Sequence, residues 1–386
     1  MKPVILADEN IPWLEHYLGG FATIRKSGGR DIGPAQLRDV DALLVRSVTR
    51  VDEQLLRESP VRFVGSATSG VDHIDRRYLQ QQKIHFCYAP GSNANSVVEY
   101  VLAAIAAVDD KLERLMAGGR VGIIGYGVIG KRMGQRLQDL GIDYCAYDPW
   151  LDADKLSHAA PLEAILDCDV ISLHAELTRE QPWPSFHLLG TDELYALRAD
   201  ALLINASRGA VVDNAALLAL MEQGKFGAQV ILDVWEGEPC ISEPLLRRVA
   251  LASPHIAGYS LDGKILATRM LCESLVGYFQ LPALNSDSPV ADAAPAALAT
   301  AVRGAALVRC LLQQRYDISA DDALLREATR GQSPARAAVA FDQLRKTYRE
   351  RRELFGTRVC GQLTDTRDLQ LVKALGCSAG SNGLST

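Results

Sequence analysis

Arg120-Val-Gly-Ile-Ile-Gly-Tyr-Gly-Val-Ile-Gly130 is the stretch on which the reading of the fold turns. Val121, Ile123 and Ile124 form a short apolar run of the kind that makes a buried strand. Gly125, Gly127 and Gly130 follow as Gly-x-Gly-x-x-Gly, and Val128, Ile129, Met133, Leu137 and Leu140 then recur at helical spacing. Strand, glycine turn and helix in that order make an anion site. The glycines allow a tight turn, let the backbone approach a pyrophosphate and let helix pack closely on strand, while the helix N-terminus offers unpaired N–H groups. A second apolar strand, Tyr144-Cys-Ala-Tyr147, ends in Asp148, about 20 residues past the first glycine, where an acid accepts from ribose hydroxyls. A carboxylate there repels a 2′-phosphate, and neither Pro149 nor Trp150 is basic. The pattern predicts NAD and not NADP.

The rest of the composition sets bounds. The 386 residues are enough for two or three domains, and 48% hydrophobic with 23% charged residues is a globular balance. Net charge is −6 with basic residues scattered, so neither nucleic acid nor an anionic membrane is expected as partner. No targeting pattern precedes the first strand and no apolar run approaches membrane length, which gives a cytoplasmic expectation. The eight cysteines lie without close pairs and read as small core residues in a reducing compartment, Cys145 and Cys168 included. No metal is called for.

Residues 1–92 alternate apolar strands (Val4–Ala7, Ala42–Val45, Arg62–Gly65, Ile84–Tyr88) with helical candidates (Leu14–Leu18, Glu53–Glu58, Arg76–Gln82). That is a small doubly wound α/β domain, whose ligands sit beyond the carboxyl ends of strands. Ser47, Thr49, Thr68 and Ser69 fall there, either as an anion-holding mouth or as ordinary helix caps. A helix from Asn93 leads into a second domain, 93–258. Six strand units are read in it: the glycine unit, Tyr144–Asp148, Val170–Leu173, Ala201–Asn205, Gln229–Asp233 and Leu251–Ser253. The segment Ala175–Leu189 is long for a connection and is either a working loop or a structured surface loop. A helix from Lys264 to Phe279 returns to the first domain, which is therefore 1–92 plus 259–285. Residues 286–377 form a third α/β domain with amphipathic helices Leu298–Gln314 and Ala335–Glu350, a strand Thr357–Cys360 and a helix Asp368–Leu375. Their apolar stripes either close a small core or present Leu311, Leu312 or Tyr348 to a second copy. The basic run Arg349–Arg352 reads as a solvated helix end, and 378–386 as a disordered tail.

Three motifs at strand ends of the second domain carry chemistry. Asn205-Ala206-Ser207-Arg208 ends in a guanidinium, a planar fork suited to a carboxylate. Leu232-Asp233-Val-Trp-Glu236-Gly-Glu238 supplies acids, and Ser253-Pro-His255-Ile-Ala-Gly258-Tyr259 supplies a histidine, the side chain that titrates near neutrality. An alcohol losing hydride must also lose its hydroxyl proton, and a carboxylate on the other ring nitrogen would orient the imidazole. Each motif alone has an ordinary structural reading; three on one nucleotide domain point to a dehydrogenase.

With Val45-Arg-Ser-Val-Thr49, Ala89-Pro-Gly-Ser-Asn93 and Val98-Glu-Tyr100, these motifs make the chain resemble the D-isomer-specific 2-hydroxyacid dehydrogenase family. The resemblance runs from Asp8 to about residue 377. Trp235 and His255-Ile-Ala-Gly-Tyr259 match a narrower subgroup, as do Tyr316-Asp317, Asp321-Asp322, Phe341–Lys346 and Arg351–Glu353 in the extension. It implies two Rossmann-like domains with a C-terminal dimerisation domain, hence a homodimer, and NAD-dependent oxidation of a small phosphorylated D-2-hydroxyacid. Catalysis falls to Arg208, Glu238 and His255. Cofactor contacts fall to Gly125, Tyr126, Gly127, Val128, Ile129, Gly130, Asp148, Ala175, Ala206, Ser207, Arg208, Asp233 and Gly258, and substrate contacts to Ser47, Thr68 and Tyr259. The alternatives to that implied activity are oxidation of another D-2-hydroxyacid such as 3-phosphoglycerate, and a non-catalytic NAD-binding corepressor. Two departures are visible. His174-Ala-Glu-Leu177 stands where the family commonly has His-Thr-Pro-Leu, so the hydroxyl expected to meet the cofactor is missing at Ala175, and Ser92 stands where the subgroup often has Cys.

Overall fold

The computed structural model describes residues 2–285, 287–298, 301–363 and 365–380. They fall into two compact units: 1–93 with 260–292, and 94–259 with 293–386.

The first unit holds a parallel sheet of β1 (Val4–Asp8), β2 (Thr23–Ser27), β3 (Ala42–Val45), β4 (Phe63–Ser66) and β5 (His85–Tyr88), ordered β2-β1-β3-β4-β5. Every residue of β3 and β4 is buried, as in a sheet covered on both faces. The helix Leu261–Phe279 returns to this sheet as expected. Its Leu271, Cys272 and Leu275 share a core with Ile5, Ala7, Leu14 and Phe63. The edge strand β2, Thr-Ile-Arg-Lys-Ser, goes unseen in the sequence because only Ile24 is apolar and the strand lies largely open. The capping alternative for Ser47, Thr49 and Ser69 does not hold. Asp52 caps the helix Glu53–Leu56, while Thr49 donates to the Gly29 carbonyl at 2.6 Å and Ser69 to Asn93 Oδ1 at 2.6 Å.

The second unit holds the six expected strands: β6 (Arg120–Ile124), β7 (Asp143–Tyr147), β8 (Val170–Leu173), β9 (Leu202–Asn205), β10 (Gln229–Leu232) and β11 (Leu251–Ala252). All are parallel, in the order β11-β10-β9-β8-β6-β7. Their register lines up Tyr147, Ile124, Leu173, Asn205, Leu232 and Ala252 across the sheet. Six loops therefore leave the carboxyl edge at one level, and strand order reverses between β6 and β8, the place where such sheets bind ligands. The helix Ala94–Ala107 is buried almost all round, which fits a helix enclosed by protein on every side.

What encloses it is partly the C-terminal region. The helices Gly304–Gln313 and Ile318–Thr329 both pack against it, and Leu307, Leu311 and Leu312 lie in one core with Val97, Val101 and Ile105. Burial of such a leucine contributes roughly 1.5–3 kcal/mol. Leu311 and Leu312 thus face into their own chain instead of toward a second copy. The helix Pro334–Lys346, the helix Thr366–Ala374 and a small parallel sheet complete the region; the sheet is β12 (Ala296–Ala297), β13 (Arg358–Cys360) and β14 (Ser378–Ala379), in that order. Two expectations are corrected here. Ser378 and Ala379, expected in a disordered tail, pair with β13; residues 381–386 of that stretch lie outside the described residues. Arg349–Arg352 is not a solvated helix end, because the helix stops at Lys346 and Arg351 is only 3% exposed.

Candidate active site

Three neighbouring strands present the three motifs. Beyond β9, the buried Asn205 accepts from Ser207 N at 3.1 Å and Ser207 Oγ at 2.9 Å, and donates from Nδ2 to the Arg208 carbonyl at 2.9 Å. One amide thereby closes the turn that sets Arg208, whose Nη1 also donates to the Ser207 carbonyl at 2.8 Å. Gly209 follows because the next loop leaves no room: a Cβ there would lie 2.0 Å from the Trp235 carbonyl carbon. The Arg208 turn and the loop beyond β10 are therefore in direct backbone contact.

That second loop separates its two acids. Glu238 Oε2 meets His255 Nδ1 at 2.7 Å, and its Oε1 accepts from Trp235 N at 2.8 Å. Glu236 instead meets His187 Nε2 at 2.8 Å and accepts from Asn214 N. Burial alone would raise the Glu238 carboxyl, but His255, the Trp235 N–H and Arg345 outweigh it and hold it below its ordinary value. The pair is an oriented imidazole with Nε2 left for a reacting group.

Beyond β11 the loop is clamped by Asp233. Its Oδ1 accepts from Ser253 Oγ at 2.6 Å and Ile256 N at 2.7 Å, and its Oδ2 accepts from Ala257 N at 3.0 Å. Burial nevertheless leaves this carboxyl raised. His255 sits on the clamped loop at φ 56, a left-handed conformation that surrounding structure must impose on a residue with a Cβ. Asp233, expected to touch cofactor, thus spends its side chain on the loop that carries His255.

On the other side of the switch point the edge is built for a nucleotide. Gly125 has φ +88, and a Cβ there would lie 2.4 Å from Ala175 N, so the turns beyond β6 and β8 press together. A Cβ at Gly130 would lie 2.1 Å from the Gly125 carbonyl oxygen, which is the close helix-on-strand packing the motif predicts. Gly127 faces open space, and the helix Val128–Asp139 that it opens has no side-chain cap. Its first N–H groups remain for an anion. Asp148 is oriented by Tyr126 N at 2.8 Å and Trp150 N at 3.1 Å, with carboxylate lone pairs left over for hydroxyls. These residues fit NAD. The long loop after Ala175 is knotted by its own bonds, Ser185 Oγ donating to the Glu176 carbonyl at 2.5 Å and accepting from Thr178 N at 2.8 Å. Trp150 Nε1 donates to the Trp183 carbonyl at 2.9 Å, with both indoles partly open.

Ser47 and Thr68 belong to the first unit, beyond the adjacent strands β3 and β4, where Val45 pairs with Ser66. Ser47 is exposed; Thr68 Oγ1 donates to the Gly70 carbonyl at 2.7 Å and lies 2.7 Å from Ser66 Oγ. Tyr259 and Gly258 belong to the second unit, on the His255 loop.

Nothing in the sequence signals how the C-terminal region holds that loop. Arg351 donates to the carbonyls of Tyr259 and Ala257, both at 2.9 Å, and Asp322 accepts from Ala252 N at 2.8 Å. The Tyr348 ring lies edge-on to Tyr259, centroids 6.0 Å apart. Glu99, on the Ala94–Ala107 helix, accepts from Leu354 N and Phe355 N at 2.9 and 2.8 Å; burial, with Glu353 beside it, pushes its carboxyl up to about 7.

Known proteins resemble the chain in sequence and in fold. The family model described as D-isomer specific 2-hydroxyacid dehydrogenase, NAD binding domain, matches residues 103–257, and one described as a domain of unknown function (DUF3410) matches 289–376. Among solved structures, D-lactate dehydrogenase from Aquifex aeolicus, complexed with NAD and lactic acid, is 22% identical and has a TM-score of 0.59. It covers 72% of this chain and 95% of its own. The 3-phosphoglycerate dehydrogenase of Entamoeba histolytica gives 22%, 0.60, 72% and 96% in the same terms. Both likenesses establish the fold. The erythronate-4-phosphate dehydrogenase of Marinobacter nauticus is 43% identical over 364 residues, 92% of this chain and 94% of that protein. That of Cellvibrio japonicus is 45% identical over 362 residues, again 92% and 94%. The chain belongs to the erythronate-4-phosphate dehydrogenases, a branch of the D-isomer-specific 2-hydroxyacid dehydrogenases.

Proposed function

We propose that the chain oxidises 4-phospho-D-erythronate at C2 to (R)-3-hydroxy-2-oxo-4-phosphooxybutanoate with NAD, on the route to pyridoxal 5′-phosphate. The observation that carries the reading is the Glu238–His255 pair, 2.7 Å apart, one loop away from the Arg208 turn. The chemistry that bound NAD would supply is a hydride acceptor for C2. His255 takes the C2 hydroxyl proton at Nε2, because Glu238 holds Nδ1. Arg208 holds the substrate carboxylate and the developing carbonyl oxygen with its fork of N–H donors. Glu238 keeps the imidazole oriented and stabilises its protonated form. Gly125 to Gly130, Ala206 to Arg208 and Asp148 hold the cofactor, with Ala175, Asp233 and Gly258 beside it; Ser47, Thr68 and Tyr259 hold the substrate.

The protein works as a homodimer in the cytoplasm, with the C-terminal region as the dimerisation domain. Support comes from two helices that pack together and leave Leu324 and Val339 47% and 71% exposed. No helix among the described residues is long and apolar enough to cross a membrane. Val339→Glu should shift the dimer to monomer in sedimentation; an unchanged mass places the interface elsewhere.

Initial rates with 4-phospho-D-erythronate and 3-phosphoglycerate test the substrate. Oxidation of a secondary alcohol by NAD is uphill, so the assay includes a 2-oxoacid through which the enzyme can regenerate NAD. A preference for 3-phosphoglycerate overturns the assignment.

A further inference from the structure

Arg345 lies on the helix Pro334–Lys346 of the C-terminal region, remote in sequence from the three strand-end motifs of the second domain. Its guanidinium is within hydrogen-bonding reach of the Tyr259 side chain and feels the charges of Glu238 and Asp233. Its Nε is buried with no hydrogen-bond partner. A guanidinium is costly to bury and costlier when one N–H goes unpaired, so a cation held here is sustained by the acidic groups around it. The neighbouring loop and helix are held by several contacts. Arg351 grips the carbonyls on either side of Gly258, Tyr348 packs on the Tyr259 ring, and Phe341, one turn before Arg345, is fully buried.

We infer that Arg345 is a positioning residue for the reaction, by which the C-terminal region of the chain fixes Tyr259 and sets the charge around the Glu238–His255 pair. The inference rests on the reading of that pair as the acid/base centre. The charged and titratable groups around it are Asp233 below the loop, Tyr259 on the loop and Arg345 on the neighbouring helix. In oxidation His255 must begin without its proton. A second cation beside Glu238 competes with imidazolium for the same carboxylate and so favours the unprotonated ring. Burial works against the Arg345 charge, but Tyr259, Glu238 and Asp233 outweigh it and raise its pKa, so the cation persists throughout the working pH range. The hydrogen bond to Tyr259 adds a geometric role, since Tyr259 follows His255 on the same short loop.

The test compares Arg345→Met, which removes the charge at similar volume, with Arg345→Lys, which keeps it. In the full-length enzyme, Arg345→Met should move the acidic limb of the kcat/KM profile upward by roughly 0.5–1 pH unit, as loss of a nearby charge does. It should lower kcat about tenfold at neutral pH, and Arg345→Lys should restore the profile and most of kcat. A profile that does not move overturns the inference, and so does a rise in KM alone, which would make Arg345 a substrate contact. If the methionine variant does not fold, Arg345→Gln makes the same comparison. A readout without substrate separates this inference from the assignment of activity. In histidine-labelled protein, the NMR titration that disappears in His255→Gln should move upward in Arg345→Met. If that midpoint stays fixed, the inference fails whatever the substrate; if it moves while 4-phospho-D-erythronate is not oxidised, only the assignment of activity fails.

Discussion

The two halves of the six-stranded sheet, on either side of the reversal between β6 and β8, use the same carboxyl edge in opposite ways. Beyond β6 and β7 the edge is made of absences. Gly127 leaves open space, the helix it opens has no side-chain cap, and Asp148 just beyond β7 is held by main-chain N–H groups. Beyond β9, β10 and β11 the edge is made of side chains that hold one another: Asn205 sets the Arg208 turn, Glu238 sets His255, and Asp233 sets the loop beneath it. A phosphate can be bound by backbone at a helix end, whereas proton transfer needs a titratable group in one orientation. The nucleotide half is consequently local in sequence, and the half that carries the reaction is spread over three loops and braced by the C-terminal region.

The largest effect separates the two halves outright. His255→Ala should lower turnover by on the order of 10²–10⁴-fold and leave the NAD dissociation constant nearly unchanged. Unchanged turnover would make His255 structural and remove the distinction between the halves. Glu238→Gln comes next, with about 10²-fold lower kcat expected, because an amide can present the wrong partner to Nδ1. It also has a signature in stability. The Glu238 carboxyl is held below its ordinary 4.5, so its contribution is present above that pH and is lost as pH falls through the folded value. The gap in unfolding midpoint between wild type and Glu238→Gln should therefore be wide at pH 7 and close progressively as pH falls below 4.5; a gap that does not change with pH contradicts the ion pair.

Asp148→Ala probes the other half. Loss of the ribose acceptor should weaken NAD about tenfold, the scale of one charge-assisted hydrogen bond, and should narrow the preference for NAD over NADP. Equal affinity of the wild type for the two cofactors would mean that basic residues outside positions 149 and 150 reach the 2′-phosphate.

How much of this was legible follows the same division. The buried strands announce themselves as apolar runs, and the glycine unit as a spacing, because both are local consequences of packing. β2 carries one apolar residue at an open edge and leaves no such trace. The helix Ile318–Thr329 is obscured by Asp321, Asp322 and Arg326, which look like solvent-facing charges but serve as partners. Asp321 meets Arg349 and Tyr348, Asp322 accepts from Ala252 N, and Arg326 donates to the carbonyls of Leu246 and Val249. Arg345 and Arg351 are hidden for the same reason: a basic run in sequence carries no record of the carbonyls and carboxylates that tertiary folding brings to it. His255, Glu238 and Arg208 could be listed from their motifs, but the 2.7 Å contact that links two of them depends on the fold.

The smallest effect tests whether the nucleotide half is as backbone-dominated as it looks. Ala175 follows β8, and its N and Cα lie 2.4 and 2.6 Å from where a Gly125 Cβ would be. The backbone at 175 is thus pressed against the glycine turn, and its position is set regardless of side chain. Threonine there adds a hydroxyl, which could donate to the cofactor, and a methyl. A new hydrogen bond contributes roughly 0.5–1.5 kcal/mol net, and the β-branched side chain arrives with few rotamers to lose. The neighbouring His174 is neutral, since burial drops its imidazole to about 4, with Nε2 3.0 Å from Ser172 Oγ and Nδ1 buried without a hydrogen-bond partner. Ala175→Thr should therefore tighten NAD about threefold by calorimetry, with kcat unchanged because no group beyond β9 to β11 is touched. No tightening would mean that main-chain donors already set the affinity and that the alanine is harmless. Weaker binding would show the methyl disturbing the Gly125 turn, making the space left by missing side chains the quantity this half of the sheet depends on.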